Sequence, residues 1–326
     1  MAIRAAVAAT TAPNTGDAPV IADALRQAID RSELLRRTVK SRPGQHLVQT
    51  ARGAGVVREK LRFAVGQLGP SRVAGYRLRS SGLRVFVRHE NLLSSSRPAA
   101  TGDVHILNEI FGGTGGQCAY EPPPALAAAF VAEPPRKVMD LGANIGLFGA
   151  DILGRWPAAA IQSYEPDPAN RRLLARVVKA NKLEHRWSVS AVAAANDTGE
   201  MTFVTGLLAE SHLATAADPR GPQTPPSGDV KTITVDTVDL FELDHDVDLL
   251  KMDIEGGEWP ILTDPRLPGL KADVLVLEWH ALGCPEPDAR AAAARLLRAA
   301  GYSGQEEVEV ATHNGVLWAW REKSAG

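Results

Sequence analysis

The chain is poor in cysteine, has few aromatic residues (5%) and contains no long apolar run. Its only cysteines, Cys118 and Cys284, cannot build a disulfide framework. They fit a reducing compartment as inert or packing thiols, and a cytoplasmic protein is expected. A membrane span needs a run of about 18 apolar residues, which is missing. The Ala/Thr-rich stretch Met1–Val20 lacks the apolar core of a secretory leader, so none is expected. The G-x-G-x-x-G fingerprint is also absent, which disfavours an NAD-dependent dehydrogenase. What remains is ordinary for a globular protein: 326 residues, 44% hydrophobic, 23% charged, net charge -2. That length suits two domains, or one large domain with an extension.

The small net charge conceals a split. Residues 1–100 carry +11 and residues 101–326 carry -13. A basic arm of this kind suits nucleic acid or a membrane surface. It equally suits two parts of a chain that attract each other. The excess of Arg (27) over Lys (9), with abundant Ala, suggests a bacterial source.

Residues 1–19 read as a disordered tail, interrupted by Pro13 and Pro19. A helical period begins at Ile21 and runs through Leu25, Ile29, Leu34 and Val39, until Arg42-Pro43-Gly44 stops it. A second apolar stripe, Val57, Leu61, Val65 and Leu68, ends at Gly69-Pro70, with Arg58, Lys60 and Arg62 on its other face. Residues 20–75 thus form a basic helical extension. From Tyr76 to His89 the pattern alternates about Ser80-Ser81-Gly82, as a β-hairpin does.

After Lys137, strands alternate with helices. The expected strands are 137–141, 160–164, 188–193, 247–252 and 273–279, with helices over 145–156, 170–181 and 288–300. Two final strands, 306–310 and 315–320, face each other across His313-Asn314-Gly315. Such βα units ending in a hairpin predict an α/β fold: a doubly wound, mostly parallel sheet with an antiparallel edge. Asp218–Gly228 is a Pro/Gly-rich loop inserted before the fourth parallel strand.

The chemistry concentrates at strand ends. In DLGANIG (140–146) an apolar strand delivers Asp140 into a turn with Gly142 and Gly146, where the backbone can approach a ligand closely. Asp140 would repel a phosphate and suit a cationic amine. Glu165, 23 residues after Gly142, ends the next strand and is placed to accept ribose hydroxyls; a solvated acid before a proline turn is the alternative. Asp253 and Glu255 end the fourth strand over the crevice, where they need a partner: an amine, a hydroxyl or a metal. Glu258 reads as the cap of the following helix, with Trp259 packed there. Glu278 and His280 share a face of the fifth strand. His280 is suited to act as a general base, or else is a structural histidine bonded to Glu278.

The segments DLGANIG, YEPDPAN (164–170), AVAAANDTGE (191–200) and DLLKMDIEGGEWPIL (248–262), in this order, resemble the FkbM family of class I S-adenosylmethionine-dependent methyltransferases. The resemblance extends over about 76–321 and includes the stretches Ile106–Phe111 and Tyr120-Glu121-Pro122. It implies a seven-stranded Rossmann-like methyltransferase domain over 76–322, with a nucleotide-binding core from 136. Asp140, Gly142, Ala143, Asn144 and Gly146 would line the methionine end of S-adenosylmethionine, with Tyr120 and Asp253 nearby. Glu165 and Pro166 would hold the ribose. Asn196 stands where the family has Asp; it would either lie near the adenine or serve as a plain turn residue.

The expected reaction is O-methylation of a small-molecule acceptor, a polyketide natural product or a sugar, releasing S-adenosylhomocysteine. Asp253 and Glu255 would orient, His280 would take the proton, and His212 is a second candidate from a lid over 205–230. Asp253, Glu278 and His280 could also bind a divalent ion, but no ligand spacing is diagnostic of a metal, and none is predicted. Alternatives are an RNA methyltransferase using the basic extension, or a non-catalytic cofactor-binding scaffold. The acidic residues about the site and the lack of an Asn/Asp-Pro-Pro-aromatic turn disfavour RNA. No nucleic-acid or membrane partner is therefore expected. The basic extension is expected to dock on the acidic part, or on its twin in a homodimer.

Overall fold

The computed structural model describes residues 42–70, 72–89, 102–112, 118–205, 212–213, 231–244, 246–310 and 313–322. The expected tail 1–19, the helix from Ile21 to Val39 and the loop Asp218–Gly228 lie outside these residues, as does the side chain of His212. The chain divides into two units, Met1–Gly112 and Gly113–Gly326.

In the first unit, α1 (Arg42–Val56), α2 (Lys60–Gly66) and α3 (Asp103–Phe111) accompany a hairpin of β1 (Arg72–Arg77) and β2 (Arg84–His89). Arg42-Pro43-Gly44 opens a helix rather than ending one. Proline lacks only an N–H that the first turn leaves unpaired anyway, so it is tolerated there. The second correction concerns α2. Of the expected core stripe, Val57 is buried, but the rest faces outward, with Leu61 83%, Val65 62% and Leu68 59% exposed. Phe63 is buried instead, edge-on to Tyr76 at 5.1 Å and to His89 at 5.3 Å. One buried phenyl ring gains about 1.5–3 kcal/mol, and here it overrides a stripe of aliphatics. Gly66 lies beneath these rings, where a Cβ would meet His89 at 3.1 Å.

The hairpin forms as expected, with Tyr76 opposite Val85 and Gly82 at a φ of 75° in the turn. Arg88 grips Asp103 through both Nε and Nη2, at 2.9 and 2.7 Å, and its backbone N–H donates to the same carboxylate at 2.7 Å. This fork ties α3 to the hairpin. The hairpin therefore belongs to the first unit, and the expected domain start at residue 76 falls inside β1; the division lies after Gly112.

The second unit holds a seven-stranded sheet in the order β12-β13-β11-β10-β3-β4-β5. Its strands are β3 (Lys137–Leu141), β4 (Ala160–Tyr164), β5 (Trp187–Ser190), β10 (Leu249–Met252), β11 (Val274–His280), β12 (Gly304–Val310) and β13 (Asn314–Trp320). All neighbours pair in parallel except those of β13, which runs antiparallel to both β11 and β12. The antiparallel strand is thus internal and β12 is the edge. Every residue of β10 and β11 is buried, as expected for strands covered on both faces. Helices α5 (Leu147–Arg155), α6 (Pro168–Ala180), α7 (Glu258–Leu262) and α8 (Ala289–Ala299) follow strands, while α4 (Pro124–Ala132) precedes them. Apolar residues of α7 and α8, including Trp259, Ile261, Ala292 and Leu297, join those of β3, β10 and β11 in one core.

The third expected strand splits. β5 completes the large sheet, and β6 (Ala193–Ala195) enters a second sheet with β7 (Gly199–Thr205), β8 (His212–Leu213) and β9 (Lys231–Asp239). This sheet was not expected. Its strands alternate Met201/Phe203 and Ile233/Val235 with polar residues and bury only a small cluster. Among the described residues, no helix is long and apolar enough to cross a membrane.

One acid-sensitive feature follows in the first unit. His89, bonded through Nε2 to the Tyr76 hydroxyl at 2.6 Å, has its pKa lowered to about 4 by burial and by Arg72 and Arg62. The unfolded chain therefore binds the proton first, so stability present above about pH 6.5 is lost as the pH falls toward 4. After discounting for solvent screening, the loss is about 1–2 kcal/mol. Amide exchange over Arg72–His89, corrected for intrinsic rate, should show this loss, and His89→Gln should flatten it. Equal pH dependence in both proteins would assign the effect elsewhere.

Candidate active site

The chain lays β3, β4 and β5 outward on one side and β10 and β11 on the other, so the order reverses between β3 and β10. A crevice forms where loops leave such a switch point in opposite directions. Here the two loops are pressed together. A Cβ on Gly142, whose φ is 74°, would lie 1.8 Å from the Asp253 carbonyl oxygen. Only glycine fits. Gly146 serves packing instead: a Cβ there would meet Leu174 at 2.5 Å, and the residue does not line the cleft.

Glu165 staples the glycine loop to the end of β4. One carboxylate oxygen accepts from the Asn144 N–H at 2.6 Å and the other from the Asp167 N–H at 2.8 Å. Each oxygen keeps a lone pair for a ligand hydroxyl. Burial pushes this carboxyl up to about 8, against the pull of the two backbone donors. Gly142, Asn144, Glu165 and Pro166 line the cleft together with Asp253 and Glu255, and Ala193, Ala194 and Phe203 form an apolar part of its wall. The Asn144 side-chain oxygen, Oδ1, is buried without a hydrogen-bond partner. An ammonium-bearing cofactor with an apolar base fits this lining.

Asn196 is not brought into the cleft. Its amide reaches Asp264 at 3.4 Å, and its backbone oxygen accepts from Arg266, which also pairs with Asp239 and Asp264. That guanidinium fixes the turn away from the cleft. Asp140 is likewise sealed within its strand rather than presented to a ligand, and burial raises its pKa. Its cation is resident: the Lys251 ammonium lies 3.6 Å away.

Lys251 went unnoticed in the sequence, although a lone lysine in the apolar strand Leu249–Met252 is the kind of signal that could have found it. Its side chain is 3% exposed. Nζ donates to the Gly142 carbonyl at 2.8 Å and pairs with Asp253 at 3.1 Å. Burial opposes its charge, but Asp253 and Asp140 outweigh burial, and its pKa rises above the ordinary lysine value. Nζ also lies 5.8 Å from the ring centre of Tyr120, within cation–π range.

A polar cluster continues from Asp253 toward β11. The Tyr120 hydroxyl donates to Glu278 at 2.6 Å and reaches Asp253 at 3.3 Å. Asn314 Nδ2 donates to the other Glu278 oxygen at 2.9 Å. His280 Nδ1 bonds Glu258 at 3.1 Å, while Nε2 faces Glu255 at 3.6 Å and Glu278 at 3.7 Å. The structural partner of His280 is thus Glu258, not Glu278. Glu258 begins α7, but its carboxylate accepts from the Ile254 and Gly256 N–H groups of the preceding loop, at 3.1 and 2.9 Å. Burial disfavours charge on His280, yet Glu258 and Glu255 prevail and hold its pKa well above the ordinary value. Burial raises Glu255 and Glu278 as well. Of the expected residues, Tyr120, Asp253, Glu255 and His280 therefore meet in one cluster, and Ala143 is buried within the glycine loop, where its N–H donates to the Tyr164 carbonyl.

The methyltransferase FkbM domain matches residues 140–303. No curated protein sequence matches the chain. Among solved structures, similar chains include the precorrin-6y C5,15-methyltransferase of Geobacter metallireducens GS-15, at 15% identity over 57% of this chain and 80% of that one, TM-score 0.33. An O-methyltransferase family protein from Burkholderia thailandensis shows 15% identity over 61% and 56%, TM-score 0.33. The N-terminal domain of EvdMO1 with S-adenosylhomocysteine bound shows 14% over 62% and 82%, TM-score 0.35. At these TM-scores the likenesses carry no weight, and the assignment rests on the family match together with the strand order and cleft. The chain belongs to the FkbM family of methyltransferases and uses S-adenosylmethionine as its cofactor.

Proposed function

We propose that this protein transfers the methyl group to a hydroxyl oxygen of a small-molecule acceptor, a polyketide natural product or a sugar, in the cytoplasm. The observation that carries this reading is the contiguity of the cofactor cleft with the Tyr120–Asp253–Glu278–His280 cluster through Asp253, which belongs to both. A wall of carboxylates is built to accept hydrogen bonds from hydroxyls. It also repels a polyanion, which disfavours RNA. Two cysteines cannot build a disulfide framework, which is in keeping with a reducing compartment.

When bound, the cofactor supplies an electrophilic methyl carbon and leaves as S-adenosylhomocysteine. The residues have the remaining tasks. Glu165 accepts the ribose hydroxyls, Asn144 and Asp253 face the cationic end, and Lys251 holds the glycine loop against Asp253. Alignment of the attacking oxygen within about 3 Å of the methyl carbon then supplies most of the acceleration. His280 keeps its proton between Glu258 and Glu255, so it is poorly suited to serve alone as the base. The acceptor proton passes to Glu255, with the imidazolium stabilising its charge.

Three outcomes test this. A panel of polyketide and sugar hydroxyls should yield S-adenosylhomocysteine release with an O-methyl product identified by mass and NMR. Cofactor binding without transfer to any member would support a scaffold instead. With the acceptor found, Glu255→Gln should lower kcat about 100-fold or more while S-adenosylhomocysteine affinity moves less than about threefold. Retained turnover would remove Glu255 from the proton path. Finally, ribose hydroxyls prefer ionised Glu165, so S-adenosylhomocysteine affinity should rise about tenfold from pH 7 to pH 9 as the carboxyl ionises near 8. Glu165→Gln should abolish that rise in calorimetric titrations; an unchanged rise would place the titrating group elsewhere.

A further inference from the structure

We propose that Asp253, Glu278 and His280 form a site for a hard divalent cation of the magnesium–manganese class. Each of the three offers one ligand atom, and these atoms lie within 4.8 Å of one another. They come from the end of β10 and from alternate positions of β11, both on the rigid parallel sheet.

The orientation of His280 is the independent observation. The residue is 9% exposed, and its Nδ1 is engaged by Glu258, a fully buried carboxylate fixed by two backbone N–H donors. An ionised carboxylate can only accept, so Nδ1 carries the hydrogen; Nε2 points at Glu255 and Glu278, and a cation binding there displaces the proton that Nε2 otherwise holds between them. The separations, 3.6 and 3.7 Å, exceed hydrogen-bond length. The 3.7 Å separation from Glu278 is close to the spacing of two donors that share one ion through bonds of about 2.1–2.2 Å at a wide angle.

The outer partners have the form that metal ligands require. Glu258 sets the tautomer of His280, while Tyr120 and Asn314 hold the Glu278 carboxylate. Lys251 and Tyr120 occupy one oxygen of Asp253, Oδ2, which leaves Oδ1 for the ion. Composition points the same way. Five acidic groups, Asp140, Asp253, Glu255, Glu258 and Glu278, crowd about only two basic ones, Lys251 and His280, in a largely buried space. Two carboxylates without a thiolate suit a hard cation of this class, and the single imidazole tips the choice within it toward manganese. An ion here would also anchor an oxygen of the acceptor beside the cofactor cleft; that consequence, but not ion binding itself, rests on the function proposed above.

The test uses the full chain stripped with EDTA and titrated with Mn²⁺ under electron paramagnetic resonance, with S-adenosylhomocysteine binding measured separately. One ion per chain should bind saturably, and its spin-echo spectrum should show coupling to a single imidazole nitrogen. His280→Ala should abolish the nitrogen coupling and weaken binding at least about tenfold, and Glu278→Gln should weaken it by a similar factor. Intact S-adenosylhomocysteine binding in both variants would show that they fold. No saturable binding below about 1 mM would overturn the proposal, since that is the weak end of carboxylate cation sites. So would Mn²⁺ that binds without nitrogen coupling, or binds His280→Ala as tightly as the parent. Loss of S-adenosylhomocysteine binding in the parent would instead strike at the cofactor site and leave the ion result standing on its own.

Discussion

Lys251 is the interaction on which the catalytic unit depends. A lysine ammonium enclosed in a parallel sheet is costly unless it is paired on every side. Here the partners are Asp140 on the neighbouring strand, Asp253 just beyond its own strand, and the Gly142 carbonyl. These are the strand ends and loop at the point where the sheet reverses its order. One buried cation thereby joins β3 to β10 and fixes the glycine loop. Without it, Asp140 and Asp253 would repel one another across the crevice.

That arrangement explains why the glycine loop tolerates so little change. Lys251 pulls the Gly142 carbonyl inward, and the backbone of Asp253 occupies the space a side chain would need. Glu165 holds the opposite end of the loop through the Asn144 N–H. The loop is consequently shaped by two side chains from the strands on either side of β3 before any cofactor arrives. Such preorganisation reduces the ordering cost of binding.

Much of the fold was legible in the sequence because continuous apolar strands, glycine turns and amphipathic helices repeat at regular intervals from Lys137 onward. The parallel sheet and the final hairpin follow from that pattern. The weaker elements did not. Strands β7 and β9 bury only one face against a small cluster, so their alternation competes with a polar composition typical of loops. The stripe Leu61, Val65 and Leu68 misled because periodicity identifies an amphipathic helix without weighing a single phenylalanine against three aliphatics. At the site, carboxylates at strand ends were visible, but their partners were not. Lys251 was overlooked inside an apolar run, and Glu258 satisfies capping rules while its carboxylate turns back to the loop and to His280. Residue type and spacing show where charges lie along the chain; the pairing of those charges is a property of the packed strands.

The hairpin at the end of the chain illustrates why that distinction matters for function. Pairing β13 antiparallel to β11 sets Asn314 directly opposite His280 and Val316 opposite Glu278. Asn314, the first residue of β13, therefore delivers its amide to Glu278. A parallel strand in that place would bring its N-terminal end to the far side of the sheet, leaving the Glu278 oxygen without this donor. The reversal of one strand is thus a condition of the active-site geometry, since it brings the start of β13 to the carboxyl ends of β10 and β11. Hydrogen bonds from Tyr120 and Asn314 then fix both oxygens of Glu278, and the remaining freedom in the cluster lies in the space between Glu278, Glu255 and the outward nitrogen of His280.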